Sequence, residues 1–169
     1  MRLLMLYPVL AGLVGTSNPA LAADSALDRK SLQGVKQFYV IVEELESAAT
    51  DDGLTKDQIK VDVELRLRKA GIQLTEDHAA GGFRYLYIQA SLIKGTEALA
   101  GLYAYNVRVE FVQPAVVESN WAEVQASTWS VGNSGMVGRK NVARGTRDTI
   151  GDLVDTFLNA YLSVNPPKP

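Results

Sequence analysis

No cysteine occurs anywhere in the 169 residues. Disulfides, thiolate metal sites and Cys–His catalysis are therefore excluded, as is the lipid-bearing cysteine of a bacterial lipoprotein. The chain has one histidine, His78. A Ser-His-Asp triad would have to run through it, and no GxSxG motif accompanies it. A zinc site lacks a second imidazole, so no metal and no cofactor is expected. His78 stands in the stretch Glu76-Asp77-His78-Ala79-Ala80-Gly81-Gly82, where a solvated loop side chain is expected. Beyond Val14 no apolar run approaches the ~20 residues that a membrane-spanning helix needs. Charge of one sign is also lacking. The net charge is -2 and the pI ≈ 5.4, which gives the whole molecule no attraction to nucleic acid.

What remains is a globular composition, 47% hydrophobic and 21% charged. A chain of this length buries about two-thirds of its unfolded surface and folds without covalent staples. Arg2 precedes an apolar run from Leu3 to Val14, and Ala20 and Ala22 form a small-x-small pattern. This predicts a signal peptide over 1–22, cleaved after Ala22 or Ala23, and a periplasmic or extracellular protein with no transmembrane segment left after cleavage. A polar leader (23–33), a single α+β domain (34–165) and a tail (166–169) are expected to follow.

The long stretch VARGTRDTIGDLVDTFLNAYLSV organises that domain. Ile150, Leu153, Val154, Phe157, Leu158, Tyr161 and Val164 recur at helical steps, with Asp148, Asp152, Asp155 and Asn159 on the other side. Asn165-Pro166-Pro167 ends the helix, and Asn141 is a candidate N-cap. Upstream, VKQFYVIVEEL reads as a central strand and 46–54 as a loop. The acidic cluster in that loop lacks calcium-loop spacing. Residues 55–70 show strand-like alternation, yet Thr55 with Gln58 forms a capping box and Gly71 suits a C-cap, which predicts a helix. A short strand at 72–74 and strands at 83–93, 102–113 and 122–131 follow, with Pro114 bending or edging its strand and 132–138 a glycine-rich loop. The fold class is α+β, two-layer, in the order β-α-β-β-β-α. A mixed sheet of about four strands carries two amphipathic helices on one face.

The segments TKDQIKVDVELRLRKAGI, TWSVGNSGMVG and FLNAYLSVNP together resemble a group of uncharacterised exported bacterial proteins. The element order is similar to the amino-terminal domain of the Tol-system periplasmic protein and to envelope proteins of the curli-secretion type. The missing lipid cysteine departs from the latter. The resemblance implies an envelope location and supplies no catalytic residues.

The residues themselves offer one sharper candidate. GNSGMVGRK fails the phosphate-loop pattern, because Gly138 is followed by Arg139, Lys140 and Asn141. Arg139, Lys140, Arg144 and Arg147 nevertheless crowd a helix start, where the dipole disfavours cations and favours an anion. An anionic lipid or glycan, or an acidic envelope protein, would fit there. Internal neutralisation is the competing reading, through Arg144 with Asp148 or Arg147 with glutamates of the sheet. The expected function is a non-catalytic envelope protein binding a partner or anionic ligand. One alternative is a small hydrolase using carboxylates alone, drawn from Glu43, Glu44, Glu46 and Glu110. Another is a structural subunit of an envelope assembly, joined through an unpaired sheet edge. Trp129 with Tyr85, Tyr87, Tyr103 and Tyr105 would form a sugar-stacking platform only if one exposed row held them.

Overall fold

In the computed structural model, residues 24–77, 79 and 82–166 are described. The expected signal peptide, His78 and residues 167–169 of the tail lie outside them. The elements are α1 (Ala26–Ser31), β1 (Gln37–Val42), α2 (Ser47–Asp51), α3 (Lys56–Lys69), β2 (Gln73–Leu74), β3 (Tyr85–Lys94), β4 (Leu102–Val116), β5 (Glu123–Gly138) and α4 (Val142–Val164). The strands form one mixed sheet in the order β2-β1-β3-β4-β5. β1 pairs in parallel with β2 and β3, so its two apolar faces belong to an interior strand. β3, β4 and β5 pair antiparallel through short connections. The α+β class and mixed sheet match expectation, with five strands instead of about four.

Alternation along the strands divides the sheet into two faces. Leu86, Ile88, Ala90 and Leu92 of β3 are buried, as are Tyr103, Val107, Val109 and Phe111 of β4. They share one core with Ile59, Val63 and Leu67 of α3 and Ile150, Val154, Phe157 and Tyr161 of α4. The intervening Tyr87, Gln89, Ser91, Asn106 and Arg108 are only partly covered or exposed.

α3 shows which of two competing patterns wins. The Gln58 N–H donates to the Thr55 hydroxyl at 3.3 Å, and Gly71 takes a left-handed φ of 82° just past the helix. Of the alternating residues, Ile59, Val63 and Leu67 are buried, while Val61 and Leu65 are exposed. Every fourth residue meets the core, so the helical period governs.

Four segments depart from the sequence reading. Residues 26–31, expected within a polar leader, form α1, and Leu32 behind it is fully buried. Residues 47–51, expected as loop, form the one-turn α2 and bury Ala49. Residues 132–138, expected as a glycine-rich loop, continue β5 against β4. Close approach favours glycine at two of these positions. A Cβ on Gly135 would lie 2.8 Å from the Tyr105 hydroxyl, and one on Gly132 would lie 3.1 Å from the Val107 carbonyl. Asn141 occupies the N-cap position of α4, but its side chain makes no capping bond. A 3-10 turn (Arg139–Asn141) feeds the helix instead, and its backbone bond from Val142 to Arg139 takes over one orphan donor. Pro114 lies past the last β3–β4 pair, Tyr85 with Val112, so only β5 flanks it.

Candidate functional site

The basic residues at the start of α4 separate into three environments. Arg139 turns away from the helix toward Asp52, at the end of α2. Its Nε donates to both carboxylate oxygens at 2.9 and 3.0 Å, and a guanidinium nitrogen lies 2.8 Å from one of them. The same carboxylate accepts the Tyr103 hydroxyl at 2.6 Å and the Lys94 ammonium at 3.1 Å. Arg139, with help from Tyr103 and Lys94, holds the Asp52 carboxyl well below the usual carboxylate range, against the opposing effect of burial. Burial first, and Asp52 second, push the Tyr103 hydroxyl upward. Asp52 thus ties α2, β3, β4 and the entry to α4 together.

The sign of this linkage is definite. A carboxyl depressed in the folded state contributes stability that is present above its unfolded value, ~3.9, and lost as pH falls through the folded value. Asp52→Asn is expected to lower the thermal midpoint at neutral pH, with the gap from the natural protein narrowing below pH ~4. Thermal unfolding across that range checks it, and a gap independent of pH would remove the Asp52 charge from the account.

Arg144 and Arg147 face a groove between α3 and α4. Its volume is ≈ 720 Å³, and Asp62, Leu65, Arg66, Lys69, Arg144, Arg147, Asp148 and Asp155 contribute to its walls. Two ion pairs cross it in opposite senses. Arg147 Nε reaches Asp62 at 2.6 Å, and Arg66 reaches Asp155 at 2.8 Å. The Arg66 guanidinium lies over Gly151, 2.5 Å from where a Cβ would stand, so a larger residue there would shift the Arg66 side chain. Lys69 and Arg144 form no ion pair among the described residues, and Asp148 acts on Arg147 only at longer range. The exposed side chain of Leu65 adds an apolar wall. Lys140 is exposed and lies outside the groove lining.

Internal neutralisation therefore accounts for Arg139 through Asp52 and for Arg147 through Asp62 in place of the sheet glutamates, whereas the expected Arg144–Asp148 ion pair is not formed. Sequence reasoning missed Lys69 and Arg66 as members of the groove that Arg144 lines. Both were legible as cations near the end of α3, but only packing brings them opposite α4.

No family model matches the chain, and no curated protein matches it in sequence. Among solved structures it is similar to a minor lipoprotein from Acinetobacter baumannii, with 12% identity and TM-score 0.40 over 81% of this chain and 98% of that one. It is also similar to the PelC dodecamer from Paraburkholderia phytofirmans in two crystal forms. One gives 17% identity and TM-score 0.44 over 82% of this chain and 92% of that one. The other gives 20% and 0.41 over 86% and 94%.

The remaining candidates lie outside the groove, and two of them meet on the other face of the sheet, where Glu43 accepts from the Tyr87 hydroxyl and Glu110 is the cross-strand neighbour of Tyr87. Glu46 accepts from the Ser91 hydroxyl and the Leu92 N–H, Glu44 pairs with Lys56, and Glu110 pairs with Arg108. None of the four glutamates lines the groove. Trp129 and Tyr103 are buried under the helices, while Tyr85 stacks on Tyr39 at 5.3 Å on the opposite face. The sheet itself splits the supposed row of rings. Among the described residues no helix is long and apolar enough to cross a membrane.

Proposed function

We propose that this is a non-catalytic envelope protein that holds an anionic group of a partner molecule in the groove between α3 and α4. The observation that carries this reading is the charge state of the groove. Arg66 and Arg147 are consumed by the inter-helix ion pairs, while Lys69 and Arg144 retain their donors for a ligand and outnumber the one unpaired carboxylate of the lining, Asp148. The two ion pairs fix the walls, so binding orders little additional structure. Leu65 offers apolar contact beside the charge. A phosphate or carboxylate satisfies this arrangement, whether it belongs to a lipid headgroup, a glycan or an acidic protein surface.

The test is charge reversal. Lys69→Glu with Arg144→Glu should weaken binding to vesicles containing anionic phospholipid, or to acidic proteins retained from envelope extract, by about tenfold or more. Lys140→Glu, outside the groove, should have a much smaller effect. Binding should also fall as salt rises, because the screening length shrinks from about 10 Å at 0.1 M to about 3 Å at 1 M. A folded double variant that binds both materials as the natural protein does would refute the proposal.

A further inference from the structure

β5 forms one edge of the sheet, and its two halves are protected very differently. The other edge, β2, has only 2 residues, which is itself a protection. The first half of β5 carries a bulge where its register shifts opposite Phe111 and Val112. There α1 packs against it, and the Ser31 hydroxyl donates to the Thr128 carbonyl at 3.2 Å. The second half has neither device. From Val124 to Gly138 the strand contains no charged residue and no proline.

The ladder identifies which backbone groups are left over. Arg139 N–H donates to the Gly101 carbonyl at 2.8 Å, so 101 and 139 form a hydrogen-bonded antiparallel pair. Stepping by two, Val137, Gly135, Asn133 and Val131 turn their backbone groups toward β4. Ser130, Gly132, Ser134 and Met136 turn theirs outward. Among the described residues nothing pairs with those outward groups.

We infer that this edge pairs antiparallel with the same edge of a second copy of the chain, about a twofold axis near Asn133 and Ser134. An uncharged strand meets its own copy without like-charge repulsion, and it offers a charged foreign strand no complement. The twofold sets the same outward residues opposite one another, so both copies satisfy their leftover groups. The side chains there are small except Met136. Met136 is exposed and continues a cross-strand row with Ala104 and exposed Ile93 on the face away from the helices. Pairing joins two five-stranded sheets into one and covers the end of that row.

The experiment uses the purified protein and light-scattering mass over roughly 10–500 µM, a range that brackets a weak to moderate dimer. The natural protein should reach twice the monomer mass. Ser134→Pro should stay at the monomer mass with an unchanged circular-dichroism spectrum, because proline is tolerated where an edge N–H faces outward. Since the chain has no cysteine, Asn133→Cys or Ser134→Cys should form an intermolecular disulfide under mild oxidation, whereas Val61→Cys on the exposed face of α3 should not. A monomer at every concentration overturns the inference. So does a dimer that Ser134→Pro leaves intact, or cross-linking no faster than with Val61→Cys. Edge amides protected only when an unrelated extended peptide is added would assign the edge to a foreign strand and likewise overturn it.

Discussion

Phe157→Ala should destabilise the protein by about 3–5 kcal/mol, the usual cost of emptying a large aromatic from a packed core. The side chain is fully buried. Its ring lies 5.3 Å from Trp129, 5.7 Å from Phe111, 5.9 Å from Phe38 and 6.0 Å from Tyr161. These partners come from β5, β4, β1 and α4 itself, so one residue joins the helix layer to three strands. The cavity would be lined by rigid rings that cannot collapse into it, and each lost aromatic pair adds about 0.5–1.5 kcal/mol to the transfer cost. Urea unfolding should show the midpoint falling by roughly 1–3 M at an unchanged slope. Leu158→Ala, one residue on and at the groove wall, should cost less, because solvent and nearby side chains fill its space. Equal costs for the two would mean that Phe157 is not the centre of the core.

The place of Phe157 on the core-facing stripe was visible in the sequence because α4 is long and its apolar stripe wide. A long periodic pattern averages over local ambiguity. α3 was legible for a different reason. Its alternating Ile59, Val61, Val63, Leu65 and Leu67 suit a strand, and the end signals at Thr55, Gln58 and Gly71 decided the matter. The second half of β5 was illegible because glycine in isolation signals a turn. Only Tyr105 lying over Gly135 makes glycine the fitting residue in that strand. α2 was missed because a single turn carries no period.

The candidate site was legible in one part and hidden in another. Arg144 and Arg147 are close in sequence and fall in the same groove, as helical spacing indicates. Lys69 belongs to another element, and its place in the groove that Arg144 also lines is a product of packing. The Asp52 cluster was hidden for the same reason. Lys94 and Tyr103 meet across the β3–β4 hairpin, but Asp52 and Arg139 are separated from them by whole strands and join only after the sheet has formed. Charges read along a chain reveal local patches, while the partner that neutralises each one is set by the fold.

The segment before β1 gives the second large expectation. Ser25 and Asp28 form a capping box, with the Asp28 N–H donating to the Ser25 hydroxyl at 3.2 Å and the Ser25 N–H to the Asp28 carboxylate at 3.0 Å. That starts a helix too short to persist alone, so tertiary contacts must hold it. Asn165, at the end of α4, donates to the Leu32 carbonyl at 2.9 Å and accepts from the Gly34 N–H at 2.7 Å. Gln113 donates to the Ser31 carbonyl at 2.9 Å. Leu32 is thereby clamped from α4 and β4 with its side chain wholly inside, whereas Leu27 is 78% exposed. Leu32→Ala should cost about 2–5 kcal/mol. Leu27→Ala should stay within about 0.5 kcal/mol, as surface changes do. A loose polar leader would make both substitutions neutral in the same unfolding experiment. A large cost at Leu32 alone makes α1 part of the domain, and it also keeps the first half of β5 covered while the second half stays open to a partner.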